Sequence, residues 1–130
     1  MAKDTTITIT LKGEAIEATP PPLFAIREEI VLAWHDAKAA GALQRVRSTA
    51  ILLSCPKLLK ESGYDYARAK FDPLNFGGAA YSWLREKHGA TLAEVATAGD
   101  ALIVAMSEDL FPREAEVQER KGFSPAAAVG

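Results

Sequence analysis

Three consecutive prolines, Pro20 to Pro22, divide this chain into two parts that follow different hydrophobic periods. Proline lacks the amide donor that a sheet ladder needs and favours extended backbone, so "TPPPL", Thr19 to Leu23, cannot continue a central strand and reads as a stiff connector. Ahead of it, "TTITITLKGEAIEA", Thr5 to Ala18, places Ile7, Ile9 and Leu11 at alternate positions, the period of a half-buried strand. Lys12-Gly13 predicts a two-residue hairpin turn in which glycine supplies the positive φ. A register follows, with Leu11 facing Glu14, Ile9 facing Ile16 and Ile7 facing Ala18, which gathers most apolar side chains on one face.

After the prolines the period changes to that of a helix. Leu23, Ile26, Ile30, Ala33 and Ala37 share a face, with Phe24, Val31 and Trp34 alongside, and predict a helix over 23–40 that stops at Gly41. Leu43, Val46, Ala50 and Leu53 repeat the spacing until Pro56 breaks or restarts it, and "PKLLKESG" leaves room for a couple of turns before Gly63. "YDYARAKFDPLNFGG" carries the turn signals Asp72-Pro73 and Gly77-Gly78 and reads as an aromatic-rich loop. Helical spacing returns at Phe76, Ala80 and Trp83 or Leu84, where paired glycines cost about 1 kcal/mol each relative to alanine and imply either close packing or a later helix start.

Thr91 to Glu94, "TLAE", fits a capping box, the threonine accepting from the N3 amide while the glutamate reaches back. From there Leu92, Val95, Gly99, Leu102, Ile103, Met106 and Leu110 form an unbroken apolar stripe up to Phe111-Pro112. Pro112 suits the first turn of a short terminal helix that Gly122 ends. The expected fold is therefore α+β, mainly α, an N-terminal β-hairpin followed by a bundle of about four to five helices. It forms one globular domain over 1–122, with the hairpin at 5–18, the helical core at 23–110, a terminal helix at 112–122 and a flexible tail at 123–130.

Fifteen basic and seventeen acidic residues leave a net charge of -2, so no whole-chain cationic field draws the protein to nucleic acid or to an anionic membrane. Cys55 is alone, which rules out an intramolecular disulfide. "MAKDTTITIT" lacks the apolar core of a signal peptide, and no apolar run approaches the ~18 residues of a membrane span, so a cytoplasmic protein is expected.

The residue types that carry chemistry are not clustered. His35 and His88 lack metal-ligand spacing, and His88, beside Gly89, suits the end of a helix, where it serves terminal carbonyls. Cys55 paired with either histidine would make a nucleophile and base, but "LLSCP" reads as core. Asp65, Asp72, Asp100, Glu108 and Asp109 lack calcium-loop spacing, and no phosphate loop or nucleophile elbow is present. A non-enzymatic protein with no metal and no cofactor is the expectation. Arg45, Arg47, Lys57, Lys60, Arg68 and Lys70, with Tyr64, Tyr66 and Phe71 nearby, make the best case for a nucleic-acid surface.

"GDALIVAMSEDLFPREAEVQERKGFS", Gly99 to Ser124, passes from an apolar helix into a charged run that carries isolated apolar residues. Phe111, Val117 and Phe123 either fold back on the preceding helix or anchor a partner protein, as helix-in-groove binding would use them. In layout, the loop "DPLNFGGAAYSWL", the helix "LAEVATAGDALIVAMS" and the terminal "FPREAEVQERKGFS" resemble the small tail assembly chaperones and related minor tail proteins of long-tailed bacteriophages, over roughly the C-terminal half of the chain. The resemblance implies a largely helical protein of the infected host's cytoplasm that binds the tape measure protein and helps tail tube subunits assemble around it. It also implies that a ribosomal frameshift extends part of the product, with Gly99 to Leu110 as core and Val117 to Ser124 as interface. Two alternatives stand beside it: a permanent virion component whose hairpin adds strands to a neighbour's sheet, and a small nucleic-acid-binding regulator. A homo-oligomer is left open.

Overall fold

The computed structural model describes residues 6–110; the predicted terminal helix over 112–122, the tail over 123–130 and the anchors Phe111, Val117 and Phe123 lie outside them. Along the described chain run β1 (Ile7–Leu11), β2 (Glu14–Ala18), α1 (Phe24–Asp36), α2 (Ala40–Ser54), α3 (Pro56–Ser62), α4 (Pro73–Ser82) and α5 (Leu92–Leu110). The protein is mainly helical with an N-terminal antiparallel hairpin, as the change of period at the prolines predicts.

The hairpin has the predicted register, with Leu11 opposite Glu14, Ile9 opposite Ile16 and Ile7 opposite Ala18. Both turn residues are left-handed, Lys12 at φ 59 and Gly13 at φ 74, and such a turn matches the twist of the strands it joins. Lysine has a Cβ that disfavours this conformation, and Glu94 compensates from across the fold. Its carboxylate accepts from the Lys12 amide at 2.8 Å and from the Gly13 amide at 2.9 Å. The same carboxylate accepts from the Thr91 amide at 2.9 Å, while the Thr91 hydroxyl accepts from the Glu94 amide at 3.1 Å. The capping box is thus present, and it also ties the start of α5 to the hairpin turn. Ile9 and Leu11 are buried where β1 packs on α5.

α2 is the central helix and packs against both α4 and α5. Glycines set those two contacts. A Cβ on Gly77 would run into the Arg45 carbonyl, and one on Gly99 into the Arg47 side chain and Cα. Each helix therefore approaches α2 at backbone distance, which explains glycine in two helix interiors. Between these contacts the buried Thr49 hydroxyl donates to the Pro73 carbonyl at 2.8 Å, and Ser48 donates to the Gln44 carbonyl at 2.8 Å, so both hydroxyls are satisfied without water. On the α5 side Arg47 forks onto Asp100, Nε to Oδ1 at 2.7 Å and Nη2 to Oδ2 at 3.1 Å. Trp34 of α1 donates its indole N–H to the same carboxylate at 3.2 Å, so three helices meet at one acid.

The structure departs from the sequence reading in the boundaries. α1 ends at Asp36 instead of reaching Ala40, and Gly41, read as its stop, lies in the first turn of α2. Ala37 turns extended at φ -68, ψ 123, and its amide closes the helix on the Ala33 and Trp34 carbonyls. No proline or glycine stands at this end, so composition gives no sign of it. Leu23 and Phe24, read as part of the buried face, stay 52% and 54% exposed because they sit at the open start of α1. Asp72-Pro73, read as a turn, starts α4: Asp72 accepts from the Leu74 and Asn75 amides, and Pro73 takes the first helical position. The segment before it includes a short 3₁₀ turn, Tyr66–Ala69, and beyond Ser82 the chain widens into a π-type turn, Trp83–His88, that closes at left-handed Gly89.

Candidate functional site

The end of α1 and the corner before α4 enclose an open cleft of about 710 Å³. One wall is the C-terminal half of α1 with the 37–39 connector, and the other is Lys70 to Leu74. Leu32, Phe71 and Leu74 enter it while remaining 49%, 36% and 39% exposed. Scattered single apolar residues on a surface need no explanation, but three from two separate segments facing one concavity form a site.

The corner that carries Phe71 is built from sequence upward. Lys70 and Phe71 are left-handed in succession, at φ 59 and φ 56, a conformation that costs a residue with a Cβ about 1–2 kcal/mol. Tyr66, only 3% exposed, props the ring from below, its centroid 5.5 Å from that of Phe71 and edge-on to Phe76 at 5.2 Å. Asp72 then caps α4, and the Gly77 contact with Arg45 fixes that helix to α2. Phe71 is therefore presented by strained backbone on a rigid base, an arrangement common at ligand-binding positions.

Charges of both signs ring the apolar floor. Glu29, Asp36 and Asp72 contribute three carboxylates, and Lys38 and Lys70 two ammonium groups. Burial, and after it the Glu29 and Asp72 carboxylates, push the Tyr66 phenol up, so it stays a neutral donor, and its hydroxyl has no hydrogen-bond partner among the described residues. The cleft lining contains no thiol, imidazole or hydroxyl nucleophile. What the cleft offers is apolar contact inside a mixed-charge rim.

The other candidates fall as follows. Cys55 and His88 line one groove between β2 and α3, so the structure does bring a thiol and an imidazole into the same neighbourhood. Burial pushes the Cys55 thiol up to about 11, the opposite of what a nucleophile needs. His88 stacks on Trp83 with centroids 5.5 Å apart, and its buried Nε2 has no partner among the described residues; its expected service to terminal carbonyls is replaced by this stacking. His35 sits edge-on to Trp34 at 5.3 Å. Among the described residues no group of three His, Cys, Asp or Glu side chains is placed to hold a metal ion, and no helix is long and apolar enough to cross a membrane.

Three members of the basic, aromatic surface read from the sequence are diverted in the fold, while Arg45, Lys57, Lys60 and Arg68 stay exposed. Arg47 is committed to Asp100, Tyr66 is buried, and Lys70 lies in the mixed-charge cleft. Phe111, Val117 and Phe123 lie outside the described residues. Sequence reasoning missed Leu32 and Leu74 altogether and placed Phe71 only in the basic surface. The one signal that could have found Leu32 is its position off the buried stripe of α1, which leaves a large apolar side chain facing water. Comparison with protein-family models, with curated proteins and with solved structures found no match to this chain.

Proposed function

We propose that the protein acts without catalysis, by holding another protein, and that it does so in bacteriophage tail assembly, in the cytoplasm of the infected host. The tape measure protein is the proposed partner, with tail tube subunits assembling around it. The cleft carries the binding part of this proposal: Leu32, Phe71 and Leu74 are exposed together, and Phe71 is presented by left-handed backbone at Lys70 and at Phe71 itself. The tail-assembly context rests on the likeness of the C-terminal half alone. Phe111, Val117 and Phe123 enter as a second contact with the same partner.

The test is co-purification of the tagged full chain from its bacterial host, with mass spectrometry of what remains bound. A long coiled-coil protein or a tail tube subunit should be recovered. Leu32→Asp with Leu74→Asp should abolish that recovery while leaving the helical circular dichroism unchanged, and Val117→Asp with Phe123→Asp should weaken it. Recovery of nucleic acid or a small metabolite, or recovery indifferent to the cleft variants, would overturn the proposal.

A further inference from the structure

A two-stranded sheet has two free edges, and in this protein they differ. With a two-residue turn, Leu11–Glu14, Ile9–Ile16 and Ile7–Ala18 are the hydrogen-bonded pairs. The amides and carbonyls of Thr8 and Thr10 therefore point away from β2, and those of Ala15 and Glu17 point away from β1. Among the described residues no main-chain group outside the hairpin bonds to Thr8 or Thr10. The β2 edge is guarded: Glu14 and Glu17 are exposed along it, and Pro56 and Lys57 of α3 face β2 across a groove. The β1 edge between Ile7 and Leu11 has no charge, proline or bulge.

Beside β1 lies a slot of about 290 Å³ between Thr8 to Thr10 and Ala93, Glu94, Thr97, Ala98 and Ala101 of α5. Apart from Glu94, whose carboxylate is held by the Lys12, Gly13 and Thr91 amides, the side chains there are short and uncharged and leave room for an approaching backbone. We propose that β1 is the seam of a two-fold dimer, pairing antiparallel with β1 of a second copy of this chain about a centre at Ile9. The sequence of β1 is self-complementary in that register. Thr8 of each copy meets Thr10 of the other as the hydrogen-bonded pair, and the two Ile9 side chains meet on the face already turned to the core. No charge opposes its like across the seam. The β2 edge already faces Pro56 and Lys57 of α3, which is why the second copy is assigned to β1. The two strands become a four-stranded sheet, which gives this small hairpin the extra pairing that isolated two-stranded sheets lack. This inference is independent of the cleft and of the partner it holds.

Sedimentation equilibrium of the pure full-length protein, followed up to about 1 mM, where an association as weak as millimolar is half populated, tests it. The protein should dimerise, and Thr8→Lys with Thr10→Lys should weaken dimerisation by at least about tenfold, because like charges then stand opposite each other. Mixing that variant with Thr8→Glu/Thr10→Glu should restore dimers. Should the lysine variant fail to fold, Thr10→Pro removes an outward amide without touching a hairpin bond and should give monomer. A monomeric protein at the highest concentration, a dimer that survives these substitutions, or a charge-swapped mixture that stays monomeric would each overturn the proposal.

Discussion

Two lysines take the left-handed backbone conformation at the same angle, φ 59, and the fold treats them differently. Lys12 sits in a hairpin turn whose geometry calls for that conformation, and the Glu94 carboxylate accepts from its amide and from the next one. Lys70 is followed by a second left-handed residue, Phe71, and its amide makes one bond, to the Ala67 carbonyl at 3.1 Å. At the hairpin, strain is offset inside the fold and closes a turn. At the corner, strain accompanies an aromatic ring that packs on buried Tyr66 and stays 36% exposed. Backbone strain that the fold compensates is structural, whereas strain beside a part-exposed apolar side chain fits the proposed recognition of a partner.

If the two places are independent, each can be broken without the other, and the largest effect comes from the base of the corner. Gly77→Ala forces a Cβ into the Arg45 carbonyl and pushes α4 off α2. A helix-propensity gain of about 1 kcal/mol is outweighed by overpacking against backbone, at the upper end of about 3 kcal/mol, for a net loss of about 2 kcal/mol in urea denaturation. Gly78→Ala, one residue on, meets nothing within 4 Å and should stabilise by about 0.5–1 kcal/mol. In the Gly77 variant the amide resonances of Phe71 and Leu74 should move while those of Lys12 and Gly13 stay. Movement at both places would show that they are coupled and would sink the comparison.

The converse break is made with pH. Hydrogen bonds from the Thr91 amide, then from those of Gly13 and Lys12, hold the Glu94 carboxyl at about 2 against its ordinary 4.5. A carboxyl whose folded pKa lies below its unfolded value stabilises the fold fully above about pH 4.5 and loses that contribution as pH falls towards about 2. Denaturation midpoints measured across that window should fall more steeply for the native chain than for Glu94→Gln. In the native chain the Lys12 and Gly13 amides should lose protection from exchange before those of α4. A Glu94→Gln chain with the same acid profile would refute the clamp.

These two places also mark how far sequence could be read. The hairpin was legible down to its register because a period of two and a two-residue turn admit one pairing in which Ile7, Ile9 and Leu11 share a face. The capping box was legible because its two bonds are local. That Glu94 also reaches Lys12 was not, since that contact spans 82 residues and leaves no periodic trace. The cleft was hidden for the same reason: Leu32 meets Phe71 and Leu74 only after α1 and α4 have both packed on α2, and periodicity reports what is buried, while these side chains are not. The paired glycines read as close packing or a later helix start; the structure makes Gly77 the former, and its neighbour Arg45 could not be named.

The smallest effects compare the lysines directly. At Lys12 the turn favours asparagine followed by glycine, so Lys12→Asn should stabilise by about 0.5–1 kcal/mol. At Lys70, glycine removes a left-handed penalty of about 1–2 kcal/mol but adds about 0.5–1 kcal/mol of lost chain entropy, leaving a gain near 0.5 kcal/mol in thermal denaturation. The two substitutions should separate in function. Lys12→Asn leaves the cleft untouched and should capture the partner as the native chain does. Lys70→Gly frees the backbone that holds Phe71 upright, so capture should weaken even though the protein is slightly more stable. A more stable chain that binds less is the signature of strain kept for recognition; equal binding by both variants would mean that the Lys70 corner, like the hairpin turn, is only a way of turning the chain.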